Sequence, residues 1–290
     1  MANISKMSFP LFRLPILAIF EVFSSMNPFE IINLSMSSLR CKRTVKLFFR
    51  PGCEFELHFH ITTSTAISIE GTHSMWEYEF TSEKEENDVI KYDADREILM
   101  KYSTNILESF INLFKYIDDL MNFKNLAFIH FDMTHFPGPN DLIIQEIKIF
   151  KRPMKWLEFY SKEDVGKEVI DMLNHVEGVK NLKLSAPFHK DFELICPPSL
   201  SYLYISDSKW INLKKLLEFN SSVVQIRDFE LTDMEICTFF QSWMSSESHL
   251  NLEKFVLDRV KRETFEHVSQ NLPHEEFDAN AVRKFTAHHA

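Results

Sequence analysis

At 290 residues, with 45% hydrophobic and 26% charged residues, the chain has material for one large or two ordinary folded domains. Only 5 glycines and 11 prolines exclude a loop-dominated or low-complexity protein, and no run approaches the ~18 apolar residues of a membrane span. Net charge is −10 but uneven: residues 1–50 hold seven Lys/Arg against Glu21 and Glu30, so this first fifth is +5 and the remainder −15.

Cys41, Cys53, Cys196 and Cys237 are scattered and form no CxxC pair, which points to a reducing compartment, cytoplasm or nucleus. Lys6, Arg13 and the apolar run 14–20 imitate a secretory signal, but Pro10, Pro15, Glu21 and the absence of a small-residue cleavage site argue against one. Arg40, Lys42, Arg43, Lys46 and Arg50 read as the solvated face of one helix, so no nucleic-acid partner is expected.

Residues 14–49 read as three short helices. The first opens at Leu14-Pro15, where proline at the first helical position forfeits no hydrogen bond. Ile16, Ile19, Phe20, Phe23 and Met26 share a face, while Leu17, Ala18 and Val22 make the other side apolar as well. So small a unit cannot bury both sides, which calls for a groove on a partner. Asn27, Pro28 and Glu30 carry the start signals of the second helix. Ser37 or Ser38 can cap a third that carries Leu39, Val45 and Phe48.

Segments 54–61, 65–69 and 76–80 alternate with period two and predict a small antiparallel strand unit. Residues 81–96 are dense in charge and read as a mobile loop, leading to a helix over 98–117 with Leu99, Tyr102, Ile106, Phe110, Leu113 and Ile117 on one face.

From residue 126 a pattern of apolar residues at positions one, four and six recurs six times: Leu126/Ile129/Phe131, Met154/Leu157/Phe159, Val179/Leu182/Leu184, Leu200/Leu203/Ile205, Ser221/Val224/Ile226 and Leu252/Phe255/Leu257. Only Ser221 breaks it. The central residues step by 28, 25, 21, 21 and 31, close to the ~20–29-residue period of leucine-rich repeats. Helices are expected between them over 140–150, 161–176, 212–219 and 232–244, the last with Thr232 and Glu235 at capping-box spacing. Such units stack into a curved solenoid lined by parallel strands. The usual asparagine after each strand is missing, so the version is divergent.

Catalytic chemistry finds little support. Cys53, His58, His60 and His73 could be imagined around a metal, but His58 and His60 share a face with Glu54 and Glu56 opposite Phe55, Leu57 and Phe59, the pattern of a strand's wet side. Asp118-Asp119 and Glu275-Glu276 are adjacent and point apart. No GxSxG, P-loop or HExxH occurs, so neither enzyme activity, a cofactor nor a metal is expected.

Residues 9–49, with Leu14-Pro15, Pro28-Phe29-Glu30, Ile31, Leu34 and a Ser-rich turn into a basic third helix, resemble the nematode form of the F-box. Residues 216–258, with Leu-Thr-Asp at 231–233 and a helix ending Trp-Met-Ser at 243–245, resemble the type 2 F-box-associated domain of nematode F-box proteins. The resemblance implies a substrate-recognition adaptor of a cullin-RING ubiquitin ligase. Its F-box would dock a Skp-type adaptor, and through it the cullin scaffold, while its C-terminal domain holds an unknown protein target. The alternative is a non-degradative interaction scaffold. Leu14, Pro15, Ile16, Ile19, Val22, Pro28, Phe29 and Ile31 match the family's adaptor-binding or helix-setting positions, whereas Cys41-Lys42-Arg43 departs from the commoner pattern.

The expected architecture is therefore α+β. It has a three-helix F-box at 9–50, a small antiparallel strand unit and charged loop at 51–97, a divergent leucine-rich-repeat-like α/β solenoid at 98–272, and a frayed tail at 273–290.

Overall fold

A computed structural model describes residues 10–124, 126–135, 140–148 and 153–272. Three helices come first: α1 (Ile16–Ser24), α2 (Pro28–Met36) and α3 (Leu39–Phe48). Their starts follow local chemistry. Asn27 accepts a hydrogen bond from the Glu30 amide while the Glu30 carboxylate accepts one from the Asn27 amide, with Pro28 at the first helical position. Ser38 caps α3 by accepting from the Cys41 amide.

One 11-stranded sheet follows. Its strands are β1 (Glu56–Ile61), β2 (Ala66–Glu70), β3 (Met75–Thr81), β4 (Ile90–Asp93), β5 (Arg96–Tyr102), β6 (Leu126–Asp132), β7 (Met154–Tyr160), β8 (Asn181–Ser185), β9 (Tyr202–Ile205), β10 (Val223–Arg227) and β11 (Lys254–Asp258). They lie in the order β11-β10-β9-β8-β7-β6-β1-β2-β3-β5-β4. The six repeats supply β6 to β11, each parallel to the next. Their central residues stand in register, Ile129 beside Leu157, then Leu182, Leu203, Val224 and Phe255.

Helices α4 (Ile106–Met121), α5 (Asn140–Lys148), α6 (Gly166–Leu173), α7 (Leu213–Glu218), α8 (Asp233–Met244) and α9 (Arg262–Asn271) occupy the connections. The β8–β9 connection contains no helix. Buried residues of α4 to α8, such as Phe114, Ile144, Val169, Leu216 and Phe239, join the apolar rows of the strands in one continuous core. The helices thus cover one face of the sheet. Thr232 and Glu235 form the expected capping box at the start of α8.

Three expectations are corrected. The helix expected over 98–117 begins only at Ile106, because 96–102 is strand β5, so the boundary expected at 97/98 falls inside a strand. Ile98, Leu99 and Met100 are consecutive and all buried, a run that suits a strand covered on both faces. The charged segment contains the edge strand β4, fully exposed and antiparallel to β5. The strand unit is not purely antiparallel, since β3 pairs β5 in parallel, and it is continuous with the repeats through the parallel β1–β6 pair. The tail expected at 273–290 lies outside the described residues.

Candidate functional site: a helical module and a helix-free sheet face

The three N-terminal helices bury one side against the sheet layer and leave the other open. On the buried side, the Phe29 and Tyr78 rings meet edge to face at 4.7 Å. The Ser35 and Tyr116 hydroxyls lie 2.8 Å apart. Lys46 and Lys42 reach Asp119 at 2.6 and 3.0 Å, and these two ammonium groups hold the Asp119 carboxyl below its usual range. The basic face of α3 is therefore only partly solvated as expected: two of its cations are engaged by α4. Arg40 is engaged too, donating to the Phe12 carbonyl and lying 5.0 Å from the Phe12 ring.

The eight residues matched to the family's adaptor-binding positions divide in two. Leu14, Pro15, Ile16 and Val22 reach the surface. Ile19, Pro28, Phe29 and Ile31 are buried within this chain, as helix-setting positions would be. Leu17 and Leu39 are each 74% exposed, and Met36 and Leu47 are also out in solvent; none of the four is among the eight matched positions, although Leu17 belongs to the apolar side of α1 that calls for a partner. The signal for Leu39 and Leu47 was present, since with Arg43 they lie along one side of α3 at steps of four while Cys41 and Val45 form the buried stripe. A groove among these helices is lined by Leu11, Phe12, Val22, Met26, Leu34 and Arg40.

The second feature is the sheet face opposite the helices. Its rows run His58, Phe128, Trp156, Asn181, Tyr202 and His60, His130, Glu158, Lys183, Tyr204. Phe128 stands at the centre, with ring centroids 6.0 Å from His58, 5.5 Å from His60, 6.3 Å from His130 and 6.3 Å from Trp156. Burial holds His60 down to about 4, with His58 and His130 adding to the effect, and burial also lowers His58 despite the neighbouring Glu70. Both imidazoles are neutral near pH 7.

The imagined metal set does not come together. Cys53 is buried, with its thiol pushed up to about 12 by burial, His73 is exposed in a turn, and His58 and His60 lie on the helix-free face. The described residues gather Glu56, His58 and Glu70 instead, with donor atoms within 4.8 Å of one another. Lys155 already pairs with Glu56, and His58 Nε2 lies 2.8 Å from Glu70. Internal partners thus meet this triad's charges. No described helix is long and apolar enough to cross a membrane.

The described residues thus form a helical module seated on the helix-covered side of a mixed α/β sheet domain, whose other face carries no described helix. Comparison with known families gives both ends a name. Residues 11–49 match the F-box domain and residues 191–257 match the family described as F-box associated, so the chain carries both domains. No curated protein and no solved structure matches it. F-box and F-box-associated domains are adaptor and interaction domains, and their combination supports an SCF-type substrate-recognition adaptor in general.

Proposed function

We propose that this protein recruits a target protein to a cullin-RING ubiquitin ligase in the cytoplasm or nucleus. The F-box docks the Skp-type adaptor, and through it the cullin, while the sheet domain holds the target. The carrying observation is the two-sided helical module. One side is committed to the protein's own core through Phe29, Ile31 and Val45, while the other presents Ile16, Leu17, Met36, Leu39 and Leu47 to solvent. Large apolar side chains left exposed on so small a helical unit favour a protein contact. Leu14, Pro15, Ile16 and Val22 extend that surface; Ile19, Pro28, Phe29 and Ile31 set the helices beneath it.

We read the sheet domain as a divergent leucine-rich-repeat-like solenoid. Six repeated strands paired in sequence order, with helices confined to one face, support that reading.

Binding of the purified Skp-type adaptor tests the first step. Leu17→Asp with Leu39→Asp changes exposed side chains only, so folding is retained and affinity falls at least about tenfold, a ~1.4 kcal/mol loss. Unchanged affinity in a folded variant would refute docking through this surface. Adaptor binding without ubiquitin transfer to a captured partner in a reconstituted ligase would favour the non-degradative scaffold.

A further inference from the structure

We propose that β11, the strand at one end of the sheet, pairs antiparallel with β11 of a second copy of this chain, joining the two sheets about a two-fold axis through Val256. This contact is separate from adaptor docking: β11 lies well away in strand order from β3, which meets the helical module.

One observation is an apolar row left half-covered. In the five preceding repeats the fourth- and sixth-position residues, from Ile129 and Phe131 to Val224 and Ile226, are at most 1% exposed. Phe255 and Leu257 hold those positions in β11 and are only half-buried. Among the described residues no strand lies beyond β11, so its outer backbone groups have no ladder there. Helix α9, which follows, has no buried residue and leaves Phe265 64% exposed, one turn before Val268, which packs on the core. The opposite edge is protected by other means. Strand β4 is four residues long, exposed throughout, and carries Lys91, paired with Glu86. No charge interrupts Phe255, Val256 and Leu257.

The other observation is that β11 is complementary to itself. It reads Lys254-Phe255-Val256-Leu257-Asp258. A two-fold axis perpendicular to the sheet keeps both core faces on one side, so each residue must meet one from its own face. Phe255 and Leu257 extend the core rows of Val224 and Ile226, while Lys254, Val256 and Asp258 extend those of Val223, Gln225 and Arg227 on the helix-free face. Registers centred on Phe255, Val256 or Leu257 all satisfy that rule. Only the register centred on Val256 sets Phe255 against Leu257 of the second copy and Lys254 against Asp258 of the second copy, each twice by symmetry. Opposite charges directly across an antiparallel pair favour it and like charges oppose it. Both end charges also have contacts within the chain, Asp258 accepting from Gln225 at 2.6 Å, so they select the register while the apolar centre supplies the contact. A strand of unrelated sequence would need no such symmetry in β11.

Sedimentation of the full chain over a concentration series tests this, on the wild type and on Leu17→Asp with Leu39→Asp, which separates out association through the helical module. A monomer–dimer equilibrium is expected in both. Val256→Lys sets two ammonium groups against each other on the axis and abolishes the dimer. Lys254→Asp or Asp258→Lys alone weakens it at least about tenfold, and the two together restore it to within about threefold of wild type. Tyr92→Lys, on β4, leaves it unchanged. Circular dichroism checks the fold of every variant, and if Val256→Lys does not fold, the charge exchange decides. A full chain that stays monomeric at every concentration, whether residues 273–290 or another protein take the edge, overturns the pairing. So does a dimer that both single charge reversals leave intact.

Discussion

The ring of Phe29 in α2 meets the ring of Tyr78 in β3 at 4.7 Å and 71°, so the helical module and the sheet share one core rather than two cores joined by a linker. The helical module is thereby held in a fixed relation to the sheet. Ser35 with Tyr116, and Lys42 and Lys46 with Asp119, brace the same junction.

Phe29→Ala removes a side chain that is 4% exposed, so it should cost about 3–5 kcal/mol. Chemical denaturation should still show a single transition, shifted to lower denaturant, because the core is continuous. Two separate transitions would mean that the module unfolds independently. Tyr78→Phe should behave oppositely. The Tyr78 hydroxyl is buried and has no hydrogen-bond partner among the described residues, so its removal keeps the ring contact and leaves stability unchanged or raised by about 1 kcal/mol.

Ser221 is the one break in the sixfold apolar pattern. It is 1% exposed and its hydroxyl has no hydrogen-bond partner among the described residues. Ser221→Ala should therefore be neutral or stabilising by about 1 kcal/mol, while Leu182→Ala, between Leu157 and Leu203 in the same array, should cost about 2–5 kcal/mol. Thermal melting of the two variants checks this. A Ser221→Ala loss comparable to that of Leu182→Ala would show that the hydroxyl has a partner after all.

His60 should make stability fall in mild acid. Its folded pKa is held at about 4, below the ordinary 6.5, so the unfolded chain binds this proton first as pH falls. The stabilisation is complete above pH 6.5 and is lost between 6.5 and 4, with an upper bound of about 3 kcal/mol. Unfolding free energies measured from pH 7 to 4 should show this slope, flattened in His60→Gln. An identical slope in that variant would assign the effect elsewhere.

Several features were legible in the sequence because the forces behind them are local. The Asn27/Glu30 and Thr232/Glu235 caps use side chains three residues from the amides they satisfy. The six apolar repeats predicted the strands because alternation fixes which side chains face the core, and equal spacing within each repeat sets their register. Leu14-Pro15 and Pro28-Phe29-Glu30 marked the N-terminal helices for the same local reason.

Tertiary structure decided the rest. Residues 96–102 form a strand because β3 and β4 flank them, and Ile98, Leu99 and Met100 carry no periodicity that separates strand from helix. Strand β4 has no buried residue to announce it and exists through its ladder with β5. Which side of α1 and α2 stays open depended on where Tyr78 and Tyr116 lie in the folded chain, 49 and 81 residues beyond Phe29 and Ser35. The helix-free face likewise assembles from strands such as β1 and β6 that are separated in sequence, because sheet pairing brings together residues that no short-range pattern connects.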